Sequence, residues 1–198
     1  MIFFALGAML VGVLCALFLF PPEICSTVGN AAAVLLGVLI LSIGVDIGQN
    51  RAIFAEIRRK GLRILLIPLA GAVGSILPGT LAAMLCGYAW NIAAGISSGF
   101  GWYSLSAVLL AEKVSPEVGT VAFMVNVFRE LLAILLIPLL ARYVGRYTAI
   151  APAGSTSMDT TLSFIRRYTD AETAVISVVN GVVLTSLVPV LVTFFVNL

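Results

Sequence analysis

The sequence contains no histidine, three cysteines and few charges: charged residues make up 10% of its 198 residues, and hydrophobic residues make up 61%. Without histidine the usual zinc ligand and the usual proton shuttle are absent, so we expect no metal site and no cofactor. This scarcity of charge, with a mean hydropathy of +1.16, excludes an ordinary soluble domain. The composition predicts an all-α, multi-pass protein of the lipid bilayer, and the net charge of +2 gives no reason to expect a nucleic-acid partner.

Seven apolar segments are candidates to enter or cross a bilayer, for which a helix needs about 20 apolar residues. We expect about five full transmembrane helices and two re-entrant or broken helices. All of them belong to one predicted integral membrane domain over residues 1–198, with a three-span unit over 1–87 and a second unit over 88–198 that carries both discontinuous elements. The segments are 1–20, 31–49, 62–87, 91–111, 118–141, 147–165 and 171–196.

The basic residues predict the orientation of the chain. Five of the eleven lie between Arg51 and Arg63, which places this loop, and with it the N-terminus, in the cytoplasm. If segment 91–111 spans the membrane, Arg142 and Arg146 lie outside; if it enters and returns, they lie inside. Charge bias favours the re-entrant alternative, and both alternatives place the C-terminus outside.

Two stretches of small and polar residues, 97–104 and 151–161, interrupt apolar segments. Irregular backbone at membrane depth is tolerated only where it faces protein or a watery cavity, and paired interruptions are typical of a transporter's binding site. A surface loop is the alternative for the second stretch. Hydroxyl groups here suit the amine and carboxylate of a small zwitterion, and an aromatic ring could stack on an ammonium group or anchor a hairpin. The candidate residues are Ser98, Trp102, Tyr103, Ser104, Ser155, Thr156 and Ser157.

Four charged residues lie within or beside apolar segments: Asp46, Arg129, Glu130 and Asp159. Charges at such positions are costly and are retained mostly where they function. Arg129 and Glu130 point about 100° apart on a helix, so each needs a partner elsewhere, and Asp159 is the candidate partner of Arg129. A buried ion pair that only fixes helix packing is the alternative, and Asp46 is either a site residue or an interfacial residue without a special role.

Two amides complete the set of candidate site residues. Asn126 lies three and four residues before Arg129 and Glu130 and therefore shares their helical face. Asn180 lies in the otherwise apolar last segment, where it serves either helix–helix packing or the site.

Several words of the sequence resemble the LysO-type lysine exporter family. The resemblance covers residues 1–198 and implies export of L-lysine and its toxic analogues across the cytoplasmic (inner) membrane of a bacterium or archaeon. It also implies that Asp159, in the Ser-Met-Asp word, is important for transport. The matching words are Ser98 to Ser106, Arg129-Glu130-Leu131 with Ile137-Pro138, Ser155 to Asp159, and Leu187 to Leu191.

The resemblance further implies a missing part, because the chain is similar to the C-terminal two-thirds of longer family members. A small three-span companion subunit would supply the remaining spans, or a homodimer would complete the fold. Two related three-span units have opposite orientations because three is odd, which predicts part of an inverted-repeat transporter fold.

Lysine is positively charged, so its export against an inside-negative potential costs about 2.3 kcal/mol per 100 mV and needs a coupling ion. The nucleotide-binding word G-x-x-x-x-G-K-[ST] is absent. We therefore expect a secondary transporter, not an enzyme, in which Glu130 and Asp159 hold either protons (or Na+) or the ammonium groups of lysine. The alternatives are a non-transporting assembly or regulatory subunit, and an intramembrane aspartyl hydrolase with Asp46 and Asp159 as its dyad.

Overall fold

A computed structural model of the protein describes residues 61–198 and ten isolated residues before them. The chain divides into two compact units, Met1–Ile43 and Gly44–Leu198, and the described residues of the first unit are helical. The predicted segments 1–20 and 31–49 lie mostly, and Asp46 lies entirely, outside the described residues. The isolated residues are Gly7, Val11, Gly12, Leu14, Cys15, Val34, Val38, Leu41, Val45 and Arg58.

Six α-helices and three short 3₁₀ segments make up residues 61–198, and no strand occurs in this range. The all-α prediction is therefore confirmed for the described part of the chain. The helices are α1 (Leu66–Leu85), α2 (Trp90–Ser97), α3 (Tyr103–Lys113), α4 (Pro116–Tyr143), α5 (Leu162–Tyr168) and α6 (Ala171–Val196), and the 3₁₀ segments are Leu62–Leu65, Thr148–Ile150 and Gly154–Met158.

Three helices, α1, α4 and α6, have the length and composition of membrane spans. They contain 20, 28 and 26 residues, which at 1.5 Å per residue gives lengths of about 30, 42 and 39 Å. The hydrocarbon core of a bilayer is about 30 Å thick, so each helix is long enough to cross it. Three of the five predicted spans are thus present among the described residues, and the other two are those that lie mostly outside them.

Side-chain caps determine where α4 and α6 begin. Ser115 Oγ accepts a hydrogen bond from the N–H of Val118 at 3.4 Å, and Pro116 follows at the first helical position, where its missing N–H is not needed. Asp170 Oδ1 accepts from the N–H of Thr173 at 2.7 Å. These caps fix the register of both helices and therefore the depth of their polar residues.

The first predicted interruption separates α2 from α3, through a turn in which Phe100 and Gly101 have φ angles of 48° and 96°. The two helices contain 8 and 11 residues, so each is too short to cross about 30 Å of hydrocarbon alone. A Cβ on Gly95 of α2 would lie 3.3 Å from Leu110 of α3. The two short helices therefore fold back against each other, and we name residues 90–113 the first hairpin.

The second predicted interruption consists of the 3₁₀ segments Thr148–Ile150 and Gly154–Met158 followed by α5. We name residues 148–168 the second hairpin. Its apolar residues Ile150 and Ile165 are buried in one cluster with Ile137 of α4 and Val179 of α6. This cluster holds the second hairpin against both long helices.

Helices α4 and α6 run in opposite directions. Arg146, just beyond the end of α4, forms an ion pair with Asp170 at the start of α6, at 2.5 Å. At the other end of α6, Val196 lies 3.0 Å from the position of a Cβ on Gly95, in the first hairpin, which leads directly into the start of α4. The two hairpins therefore approach the middle of this helix pair from opposite ends.

Candidate functional site

The tips of the two hairpins meet each other in the interior of the unit Gly44–Leu198. The N–H of Ser155 donates to the carbonyl oxygen of Phe100 at 2.8 Å, and Phe100 is fully buried. Gly154 has a φ angle of +61°, and a Cβ at this position would collide with the Phe100 carbonyl oxygen. Glycine is the residue that adopts this conformation without a steric penalty. The two polar stretches recognised in the sequence thus form a single junction.

Asn126 of α4 holds the tip of the first hairpin. Its Oδ1 accepts from the N–H of Gly101 at 2.7 Å, and its Nδ2 donates to Ser106 Oγ at 3.2 Å and to the carbonyl of Ala122 at 2.8 Å. The side chain is buried. Its hydrogen bonds go to the protein, so Asn126 acts as a structural support for the tip.

Asn180 of α6 holds the tip of the second hairpin. Its Nδ2 donates to the carbonyl of Gly154 at 3.1 Å and to Ser157 Oγ at 2.9 Å. Ser157 Oγ also donates to the carbonyl of Ser177 at 2.9 Å, and Ser177 Oγ donates to the carbonyl of Ser157 at 2.6 Å. Two buried serines and one amide thereby fix the 3₁₀ segment to α6.

Glu130 of α4 has a buried carboxylate, and only one of its two oxygens accepts a hydrogen bond in the described part of the molecule. The residue is 1% exposed, and its Oε1 accepts a hydrogen bond from Thr160 Oγ1 at 2.5 Å. Its Oε2 is buried without a hydrogen-bond partner in the described part of the molecule. A buried polar oxygen without a partner is costly in a low-dielectric interior.

Asp159 follows the second tip and is exposed, in contrast to Glu130. Its Oδ1 accepts from the N–H of Thr160 at 2.5 Å, so Thr160 contacts both carboxylates. Asp159 and Glu130 are therefore joined through Thr160, and Tyr103 lies near both. Tyr103 is itself placed by an edge-to-face contact with Phe123, with ring centroids 5.4 Å apart. We name Glu130, Asp159, Thr160 and Tyr103 the acidic cluster.

The predicted pairing of Arg129 with Asp159 is wrong. Arg129 Nε donates to the carbonyl of Pro152 at 3.2 Å, and its Nη1 donates to Ser75 Oγ of α1. The reason is the angle of about 100° between neighbouring helix positions, which sends Arg129 towards α1 while Glu130 faces the acidic cluster. The ion pairs among the described side chains instead join Arg146 to Asp170 and to Glu172, outside the candidate site.

Arg129 and Ser75 line two open cavities between α1 and α4, of about 450 and 830 Å³. The remaining lining is mostly apolar and includes the small residues Gly74 and Gly79. The guanidinium group of Arg129 thus has neutral hydrogen-bond acceptors beside this groove.

Comparisons with known proteins place these features in a family. Residues 6–196 match the model of the family described as lysine exporter LysO. The chain is 36% identical over 168 residues to lysine exporter LysO of Escherichia coli, a match that covers 84% of the chain and 55% of that relative. It is 33% identical over 162 residues to a provisionally named lysine exporter of Haemophilus influenzae, covering 79% of the chain and 80% of that relative.

The chain belongs to the lysine exporter LysO family. The resemblance stated from the sequence words is confirmed. The matched part of the chain spans about half of the Escherichia coli relative's length. No solved structure matches the chain.

Of the other predicted site residues of this LysO-family chain, two support the hairpins and three do not have that role. Ser98 and Thr156 are buried and donate to the carbonyls of Ala94 and Ala153, at 2.7 and 2.8 Å, so they support the hairpins. Ser155 Oγ is buried without a partner in the described part. Trp102 is half-buried next to the first tip, and Ser104 is exposed.

Sequence reasoning did not predict three residues that form hydrogen bonds with the candidate site residues: Ser75, Thr160 and Ser177. A signal existed for Thr160, which directly follows Asp159. Ser75 and Ser177 are serines in apolar helices, where a local hydrogen bond to the helix backbone explains a hydroxyl equally well.

Proposed function

We propose that this chain is part of a secondary transporter that exports L-lysine and basic analogues across the cytoplasmic membrane in exchange for protons. The observation that carries the proposal is the carboxylate of Glu130, which is 1% exposed and has an oxygen without a partner. The neighbouring cation, Arg129, bonds to Ser75 and Pro152 instead of neutralising it. An ammonium group or a proton is the chemistry that completes such a site.

Exchange follows from charge balance within the acidic cluster. When lysine is absent, protons on Glu130 or Asp159 remove the cost of carboxylates held close together. When lysine enters from the cytoplasm, its ammonium group replaces the protons, which leave to the cytoplasm. Lysine then leaves on the outside as protons from that side bind the carboxylates again, which completes the exchange. Thr160 contacts both carboxylates, so a ligand bound to one affects the other.

Arg129 suits the opposite end of the substrate. Its guanidinium lines the groove between α1 and α4 without a carboxylate partner in the described part. We propose that it binds the substrate carboxylate, because guanidinium and carboxylate match in bidentate geometry.

The proposed orientation keeps the N-terminus in the cytoplasm and the C-terminus outside. Both hairpins then re-enter the bilayer, the first from outside and the second from the cytoplasm, which places Arg142 and Arg146 in the cytoplasm as the positive-inside rule requires. A small three-span companion subunit or a second copy of the chain supplies the remainder of the transporter. We also propose that the chain itself consists of a three-span unit over residues 1–87 and a second unit over residues 88–198.

The test uses inverted membrane vesicles that contain the protein, in which export appears as lysine uptake. We expect Glu130→Gln and Asp159→Asn to lower proton-driven lysine uptake by about 100-fold or more, because neither amide can exchange a proton for an ammonium group. Glu117→Gln is the matched control, since Glu117 is exposed in the first turn of α4.

Both variants must insert at wild-type levels for the comparison to count. Uptake that proceeds normally in Glu130→Gln would overturn the proposed mechanism. Vesicles with wild-type protein and no lysine uptake, even with its companion present, would favour the non-transporting subunit.

A further inference from the structure

Two asparagines occupy matching places in the described part of the chain. Asn126 and Asn180 each lie about three turns into a long helix, and each of these helices starts with a side-chain cap directly after a hairpin. Both amides are buried, at 2% and 1% exposure.

Each asparagine bonds to the backbone at the tip of the hairpin that precedes its own helix. Asn126 accepts from the N–H of Gly101, and Asn180 donates to the carbonyl of Gly154. Each also bonds to a serine hydroxyl of its hairpin, Ser106 in the first case and Ser157 in the second. The same arrangement of hairpin, cap, helix and amide thus occurs twice.

The two copies of this arrangement are inverted. Arg146, beyond the end of α4, meets Asp170 at the start of α6, so the two helices run in opposite directions. The tips meet through the bond from Ser155 to Phe100. The two copies therefore share one junction between their tips.

We infer that residues 90–143 and 148–196 form an inverted repeat within this one chain, and that Asn126 and Asn180 are its equivalent positioning residues. Each amide holds one hairpin tip at the shared junction. Neither touches the substrate, because the hydrogen bonds of both amides in the described part go to the protein. Asn180 acts on the acidic cluster through the 3₁₀ segment, which leads directly into Asp159 and Thr160.

The repeat is tested without any transport measurement, by labelling single cysteines with a membrane-impermeant maleimide. In a background where Cys15, Cys25 and Cys86 are replaced by serine, cysteine is introduced by Glu112→Cys, Tyr168→Cys or Asn197→Cys. The three positions are exposed and lie next to the first hairpin, the second hairpin and the end of α6. We expect Glu112→Cys and Asn197→Cys to be labelled from one side of the membrane and Tyr168→Cys from the other.

The positioning role rests on the proposed function and is tested by two isosteric variants. Both variants lose two donated bonds, but Asn126→Asp keeps the oxygen that accepts from the N–H of Gly101, whereas Asn180→Asp keeps no bond to its tip and places a carboxylate against the carbonyl of Gly154. We expect Asn180→Asp to lower the lysine export rate about tenfold further than Asn126→Asp, because only the Asn126 variant still holds the backbone of its tip. The thermal unfolding midpoint of Asn180→Asp in detergent also falls further than that of Asn126→Asp. Asn197→Asp, at the exposed end of α6, is the control and behaves as wild type.

The outcomes separate the inference from the function on which it rests. Wild-type export and stability in Asn180→Asp would overturn the positioning roles, and equal losses in both variants would overturn the assigned contact between Asn126 and Gly101. Label that reaches Glu112→Cys and Tyr168→Cys from the same side would overturn the repeat. A wild-type protein that exports no lysine, with labelling and stability as expected, would overturn only the function.

Discussion

At the scale of single residues, the site depends on two neighbours in sequence that serve different parts of the molecule. The helix directs Arg129 towards Ser75 and Pro152, and Glu130 towards Thr160. A charged pair on adjacent positions therefore remains unneutralised within the described part. In the proposed function, this separation leaves a carboxylate and a guanidinium each available to one end of an amino acid.

We predict that lysine export needs the hydroxyl group of Thr160 and that the size of its side chain is not sufficient. Thr160→Val removes the hydrogen bond to Glu130 Oε1 while keeping the shape of the side chain. Bonds to charged groups contribute about 1.5–3 kcal/mol, so we expect lysine export to fall by about tenfold or more. Thr160→Ser keeps the hydroxyl and should retain export in the same vesicles. Equal export by the valine and serine variants would contradict the assigned contact.

Gly154 is predicted to tolerate no side chain. Gly154→Ala combines a φ angle of +61° with a collision against the Phe100 carbonyl, and a strained backbone of this kind costs about 1–3 kcal/mol. We expect a lower thermal unfolding midpoint in detergent and loss of the contact between the tips. Gly74→Ala is the control, because the space around Gly74 in α1 is open. An unchanged midpoint in Gly154→Ala would show that the tips do not need this conformation.

Sequence reasoning predicted which polar residues lie inside the described helices, but it did not predict their partners. Asn126, Glu130 and Asn180 are conspicuous because polar groups are rare in apolar helices, and all three are buried in the structure. The partner of Arg129 was assigned by charge, whereas the structure satisfies it with a hydroxyl and a carbonyl. Such partners come from elements distant in sequence, and composition carries no information about them.

At the scale of elements, the two hairpins show why small polar residues interrupt the apolar segments. Where a helix is broken at membrane depth, its free amides and carbonyls need partners inside the protein. Gly101 and Gly154 find them on Asn126 and Asn180. The composition of residues 97–104 and 151–161 predicted these breaks, because Gly and Ser weaken helices. It did not predict that the two tips join, since that contact links backbone groups.

The start of α6 is predicted to weaken at low pH. The N–H of Thr173 and then the guanidinium of Arg146 hold the pKa of Asp170 at about 2, below its usual 3.8. The charged carboxylate therefore stabilises the folded state above about pH 4, and this contribution is lost as the pH falls towards 2. Asp170→Asn keeps a helix cap but loses the ion pair with Arg146.

The measurement for Asp170 is the thermal unfolding midpoint in detergent between pH 2 and pH 6. We expect the midpoint of Asp170→Asn to lie below that of the wild type at pH 6 and to converge with it towards pH 2. A difference that persists at pH 2, or grows there, would contradict the sign of the linkage.

At the scale of the whole molecule, the matched part of the chain covers about half of its Escherichia coli relative and 80% of its Haemophilus influenzae relative. Three helices of membrane length occur among the described residues. The sequence predicted these helices and the family, because hydropathy and the specific words survive divergence. It left the choice between a companion subunit and a homodimer open, since both complete the same set of spans.

We predict that the tagged chain purifies from its native membrane with a small membrane polypeptide or with a second copy of itself. Light scattering in detergent gives the mass of the protein part, to be compared with 20.8 kDa for one chain. Reconstituted vesicles then report whether that assembly exports lysine. A monomer that exports lysine alone would contradict both forms of assembly.

The backbone hydrogen bond between Ser155 and Phe100 limits what side-chain mutagenesis can reveal about this protein. Because main-chain atoms make it, it survives replacement of either side chain, and a complete alanine scan would pass over it. Exchanging the peptide N–H of position 155 for an ester oxygen is the chemical edit that would expose it.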